Sequence, residues 1–145
     1  MNDAAPRDST SPGPSIEVAA GLVFRDGKLL ITERPAEAHL GGLWEFPGGK
    51  RERDETFPEC LVRELREELG IEVEVGPGLD SLTHAYPDKT VHLRFFHCRW
   101  KQKEPQALGC PAFRWVTAAE LNEYEFPAAD ARVVLLLQRS PHLWH

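Results

Sequence analysis

One helix in this chain carries its own start and stop signals, and it constrains the fold more than any other segment. In "TFPECLVRELREELG", Thr56 supplies an N-cap, and Glu59, three residues on, is the return partner of a capping box. Pro58 falls in the first turn, where a missing N–H is no loss. Leu61, Leu65 and Leu69 recur every four residues and form a stripe to bury. Gly70 suits the C-terminal stop. The other face is less ordinary. Glu64, Glu67 and Glu68 stand at i, i+3 and i+4, so their carboxylates share a side. Like charges at that spacing destabilise an isolated helix. Arginines, solvent or a metal ion must offset them. Arg63 makes an i,i+4 pair with Glu67, whereas Glu64 and Glu68 repel. Alone, "RELREELG" reads as a solvated charged face.

The rest of the chain supplies strands for this helix to pack on. Residues 1–15 are rich in Pro, Ser, Asp and Gly and read as a disordered tail. "EVAAGLVFR" and "KLLITER" flank Asp26-Gly27, a strong hairpin signal. Residues 35–53 read as a loop broken by Gly41, Gly42, Pro47, Gly48 and Gly49. "IEVEV", "LTHAY", "TVHLRFFHCRW" and "AFRWV" read as further strands. "TAAEL" repeats the capping-box pattern and opens a short helix, and "AADARVVLLLQR" reads as a last helix. The order gives an α/β (α+β) domain spanning 16–145, with helices packed on a mixed sheet.

Composition narrows the partners. A formal charge of −6 leaves no basic surplus for a nucleic-acid backbone. A small nucleotide, held through bound cations, remains open to such a chain. Cys60, Cys98 and Cys110 form no CxxC pair and no disulfide framework, which points to a reducing, cytoplasmic setting. The start has no signal-peptide pattern, and "VVLLL" is far too short to span a bilayer. Monomer and homodimer both stay open.

The glycines before the helix sharpen the glutamate face. "PGGK" at Pro47–Lys50 lets the backbone come close to the same site, where a loop carbonyl can join carboxylates as an oxygen ligand. Hard oxygen donors suit Mg²⁺, with Mn²⁺ as a substitute. Carboxylates with Mg²⁺ are the usual means of holding a polyphosphate for displacement at phosphorus.

The full segment, "GGKRERDETFPECLVRELREELGI", resembles the Nudix box, GX5EX7REUXEEXGU with U aliphatic, at every fixed position from Gly49 to Ile71. The flanks "ERPAEAHLGGLWEFPGGK" and "EFPAAD" resemble the MutT type, so the likeness spans roughly residues 16–138. The resemblance implies an α/β/α sandwich with a catalytic helix. It also implies Mg²⁺-dependent hydrolysis of a nucleoside triphosphate to the monophosphate and pyrophosphate. On that likeness Glu64 is the general base, directly or through metal-activated water. Glu67 and Glu68, with Glu64 and the Gly48 carbonyl, are metal ligands. Glu55 and Arg63 tie the loop to the helix, while Gly49 and Gly70 are structural. Arg34, His39, Glu45, Phe46, Pro47, Gly48, Asp88 and Asp130 fall on the substrate side. Plainer readings stand beside these: Arg34 as a surface charge, His39 as a loop residue, Phe46 and Trp44 as core, and Asp88 as a turn residue.

Two positions depart from the MutT pattern. Where that family reads the oxidised purine with an Asn, this chain has Asp130, which also suits an N-cap for the last helix. Ionised, an Asp only accepts hydrogen bonds. It suits N7–H of 8-oxoguanine or the amine of cytosine but repels O6, and only its protonated form donates to O6. The resemblance implies 8-oxo-dGTP as substrate, and Asp130 keeps it possible while making CTP or dCTP a serious rival. Where relatives carry a further acid, this chain has Gly109; Glu104 is the nearest acid. A recognition module without catalysis is the alternative of a different class, and the intact box weighs against it.

Overall fold

A computed structural model describes residues 13–145. Residues 1–12 of the expected tail lie outside the described residues, and Ser15 already belongs to the first strand. Strands β1 (Ser15–Arg25) and β2 (Lys28–Glu33) form the expected hairpin. Asp26 and Gly27 both take positive φ, 51° and 76°, as a tight primed turn requires.

The segment 35–53 is not loop throughout. It contains two short strands, β3 (Trp44–Glu45) against β2 and β4 (Gly48–Lys50) against β1. Runs of two and three residues, the second mostly glycine, are too short to show alternation, so the sequence gives them no strand signal. The catalytic-type helix α1 (Phe57–Leu69) follows. Next come β5 (Glu72–Tyr86), β6 (Lys89–Gln102), β7 (Phe113–Val116) and α2 (Ala131–Arg139). "IEVEV" and "LTHAY" are therefore one strand, not two. Register shifts between Val75, Gly78 and Asp80 let it bend through Gly76-Pro77-Gly78 without breaking. "TAAEL" gives a 3-10 turn, Glu120–Glu123, with the reciprocal Thr117–Glu120 bonds in place. The first residues of the expected last helix, Ala128–Asp130, are also a 3-10 turn.

The described strands make one sheet ordered β3-β2-β1-β6-β5, with β4 also on β1 and β7 on β2. β1 and β6 run parallel; the other pairs are antiparallel. Alternation along β1 sends Ala19 and Val23 to one face and Ala20, Leu22 and Phe24 to the other. α1 covers the first face with Cys60, Leu61, Leu65 and Leu69, all fully buried. α2 covers the second with Val133 and Leu137, helped by Trp144. The result is a mixed sheet between helices, an α/β/α sandwich. No helix among the described residues is long and apolar enough to cross a membrane.

Both ends of α1 are closed by local chemistry. Thr56 Oγ1 accepts from the Glu59 N–H at 3.1 Å, and Glu59 Oε1 accepts from the Thr56 N–H at 2.8 Å. Gly70 sits at φ 69°, and its N–H reaches the Arg66 carbonyl. Replacing Thr56 with Ala should cost about 1 kcal/mol of unfolding free energy, measured in urea, because an exposed N-cap loses its acceptor.

Candidate active site

The glycine loop is pressed onto β1 on one side and onto α1 on the other. The Gly21 N–H donates to the Pro47 carbonyl at 2.7 Å, and Gly48 pairs with Ala20 across the ladder. A Cβ on Gly48 would collide with the Ala19 carbonyl, and one on Gly49 would collide with the Glu64 carboxylate. Gly48 therefore excludes any side chain, and one at Gly49 would push the Glu64 carboxylate out of place. Arg63 fixes the helix to this loop. Its Nε and Nη2 donate to the two Glu55 oxygens at 3.0 and 2.7 Å, and Nη2 also reaches the Lys50 carbonyl at 3.0 Å. The guanidinium beside Glu55 holds that carboxyl down at about 2.

The three glutamates of the helix face have different surroundings. Glu64 is partly buried, and desolvation raises its pKa despite the bond from Arg63. Glu67 is largely exposed, with 61% of its side chain open to solvent. Glu68 turns inward. Burial, with Glu45 nearby, pushes its carboxyl up to about 8, although the Gly48 N–H donates to it. Its Oε1 is buried without a hydrogen-bond partner. Arg63 Nη1 lies between Glu64 and Glu67, at 3.0 and 3.2 Å, and offsets their mutual repulsion. Among the described residues no three His, Cys, Asp or Glu side chains form a ready cation cluster. The carboxylates therefore share a helix face without closing on one point. The donor set still fits a hard divalent cation: it is all oxygen, and an orphaned buried carboxylate oxygen is what such an ion would satisfy.

A cavity of about 290 Å³ opens beside this face. Arg34, His39, Glu45, Phe46, Gly48 and Asp130 all line it. Arg34 is already engaged, donating to Glu45 Oε1 and to the His39 carbonyl, each at 2.7 Å. Phe46 is 5% exposed and stacks on Phe126, so it is core with one edge on the cavity. Trp44 packs on Tyr124 and stays out. Two expected residues do not line the cavity. Pro47 is buried with its carbonyl turned to β1. Asp88 is exposed at the β5–β6 turn, with its backbone carbonyl toward Gly13. The hairpin instead contributes His84, Tyr86 and Lys89, none of which the sequence reading singled out. Their signal was the alternation in "HAYPDK", which sends His84 and Tyr86 to one side. Tyr86 meets His39 edge-on at 5.0 Å between ring centroids.

Asp130 is 7% exposed and faces this cavity. It stands at the N-cap position of α2 but makes no capping bond, so the expected side-chain cap is absent. Burial first, then Glu45, pushes its carboxyl up to about 6, against the pull of Arg34. Gly109 lies on the catalytic-type helix: its N–H donates to the Glu68 carbonyl at 3.0 Å, and a Cβ there would stand 3.3 Å from the Glu68 Cα. The loop reaches the site but brings no acid to it. Glu104 is instead engaged by Arg25, whose Nη1 and Nη2 donate to its two oxygens at 3.0 and 2.8 Å.

A model of the NUDIX domain matches residues 19–136 of the chain. The protein belongs to the Nudix family. CTP pyrophosphohydrolase of Escherichia coli K12 is 43% identical over 115 residues, covering 79% of this chain and 85% of the relative. The 8-oxo-dGTP diphosphatase of the same organism is 33% identical over 125 residues, covering 86% and 97%. Among solved structures, the E. coli ORF135 protein superposes with a TM-score of 0.74 at 38% identity, over 96% of this chain and 95% of that one. MutT from Methanosarcina mazei superposes at 0.78 over 88% and 96%; at 23% identity it speaks for the fold alone. This Nudix hydrolase is thus a pyrophosphohydrolase built on the expected sandwich.

Two outcomes follow from the Nudix site's geometry. Glu64→Gln should lower turnover by orders of magnitude with melting little changed, because the amide has the shape of the carboxylate and its oxygen still accepts from Arg63; near-wild-type turnover would remove Glu64 from the chemistry. Asp130 has a folded-state pKa of about 6, above its ordinary 3.8, so its stabilising contribution is full below 3.8 and lost as pH rises through about 6. Relative to Asp130→Asn, the wild type should therefore lose on the order of 2–3 kcal/mol across that window in urea unfolding.

Proposed function

We propose that this Nudix hydrolase converts 8-oxo-dGTP to the monophosphate and pyrophosphate, with Mg²⁺ as cofactor and Mn²⁺ as a substitute, in cytoplasmic nucleotide-pool sanitation. The observation that carries the reading is a buried carboxyl raised to about 6, Asp130, in a cavity that Gly48 and Gly49 also line. A base at Asp130 leaves its phosphates beside the Glu64 face. Glu64, Glu67, Glu68 and the Gly48 carbonyl are the residues assigned to the metal. When bound, the cation supplies charge neutralisation on the phosphates and a more acidic water. Glu64, raised by desolvation and steadied by Arg63, takes the proton from the attacking water. Arg63 and Glu55 hold loop and helix at fixed separation during attack. Arg34 is assigned to the substrate's phosphate or sugar, where it must exchange its bond with Glu45.

In its neutral form Asp130 donates to O6 of 8-oxoguanine and accepts from N7–H with its second oxygen. A second reading, CTP or dCTP, is favoured by the ionised form of the same side chain, which accepts from the cytosine amine. The 43% identity to CTP pyrophosphohydrolase supports it. A pyrophosphate-release assay over 8-oxo-dGTP, dGTP, CTP, dCTP, 5-methyl-dCTP and 2-oxo-dATP separates the two readings. If neutral Asp130 reads 8-oxoguanine, kcat/KM for 8-oxo-dGTP relative to CTP should fall several-fold as pH rises through about 6, because the donor is lost. The ratio cancels the titration of the shared catalytic groups. A flat ratio removes Asp130 from base reading.

A further inference from the structure

Among the described residues, two buried side-chain oxygens have no hydrogen-bond partner: Glu68 Oε1 and Thr32 Oγ1. Thr32 has no role in the reading above. It is fully buried in β2, where valine would match its shape without a hydroxyl to desolvate. An unpartnered buried hydroxyl costs on the order of 1–3 kcal/mol. Its location gives the reason to keep it.

Along β2, Leu30 faces the cluster formed with Leu61, Leu65 and Leu69 of α1, and Thr32, two residues on, faces the same way. Directly across the ladder from Thr32 stands Glu45. Glu45 is also the carboxylate that acts most strongly on Glu68, and the Cys110 thiol feels both. Phe113, the other ladder neighbour of Thr32, belongs to the same apolar wall. Glu45 thus links the two orphaned oxygens: it stands opposite Thr32 on the ladder and acts on Glu68 from the sheet side of α1.

We propose that Thr32 is a positioning residue for Glu68: its hydroxyl donates through one bridging water toward the inner Glu68 oxygen and sets the rotamer in which this carboxylate serves a divalent cation. A hydroxyl has one proton to donate, and Glu45 already accepts from Arg34, so the Thr32 proton is left for Glu68. Partners behind a metal ligand commonly change affinity by 10–100-fold when removed. The proposal rests on the assignment of Glu68 to the metal.

The test is calorimetric titration of the full chain with Mn²⁺ alone, without nucleotide, beside pyrophosphate release as a function of Mg²⁺. Thr32→Val should weaken Mn²⁺ binding about tenfold and raise the Mg²⁺ needed for half-maximal rate to match, with melting unchanged or higher. Thr32→Ser and Thr32→Ala lose the same methyl group and differ in the hydroxyl. Ser should bind Mn²⁺ within about twofold of wild type, and Ala should behave as Val does. In a Glu68→Gln background Thr32→Val should add nothing. Equal Mn²⁺ affinity for Ser and Ala, or wild-type affinity for Val while Glu68→Gln binds weakly, overturns the role of Thr32. Unchanged Mn²⁺ binding in Glu68→Gln overturns the assignment of Glu68 itself.

Discussion

The Arg63–Glu55 clasp is the interaction on which the site depends. One guanidinium joins the loop that precedes α1, the backbone of the glycine strand and the glutamate face. A single planar, permanently charged group can do this because its five donors diverge in fixed directions. A lysine offers one point charge and would satisfy one of these partners at a time. The half-buried setting of Glu55, with 14% of its side chain exposed, strengthens the pair relative to an open surface bridge. Without it, the Gly48-Gly49 strand would keep only its short ladder to β1 and the weak bond from the Cys60 thiol to the Gly49 carbonyl, and Glu64 would lose the bond from Arg63.

Like-charge crowding is handled differently on each side of that clasp. Toward solvent, Glu64 and Glu67 share Arg63. Toward the interior, Glu68 is repelled by Glu45 and eased by Arg34 and the Gly48 N–H, and both carboxyls are pushed upward. Asp130 joins the same field from α2. Three carboxyls with one arginine leave the inner end of the site short of positive charge. A cationic or hydrogen-donating ligand is the natural complement there. The sheet makes this crowding affordable, because apolar side chains on both faces anchor every element that carries an acid.

Much of this was legible in the sequence, for identifiable reasons. α1 was readable residue by residue because capping, stripe and stop are all local chemistry. The glycine loop and Glu55 were readable because their spacing matches a long, specific pattern. β3 and β4 were not: each is held by its neighbours, and nothing within two or three residues announces a ladder. The continuity of β5 was hidden because Gly76-Pro77-Gly78 looks like a break, and only its partner β6 shows it as a bend. Asp130 was placed correctly at the head of α2, but its side chain turns to the cavity and caps nothing. Thr32 gave no sign, since a threonine in a strand is ordinary until its burial and its neighbour Glu45 are known.

The parallel pairing of β1 with β6 has a consequence for the order in which the site can be assembled. The ladder joins Ser15 with Thr90 through to Phe24 with Arg99, and the glycine strand rests on the other edge of the same β1. The earliest described strand is thus completed only when a segment far down the chain has been made. Such distant pairings close slowly, because their loop entropy is spent before their contacts return anything. While the chain is being synthesised, β1 has β2 beside it but an open edge toward the absent β6. The glutamate helix can form early from its own local signals. Its loop cannot be locked in place until the sheet closes, so a chain caught partway holds the acidic helix without the platform that makes it useful.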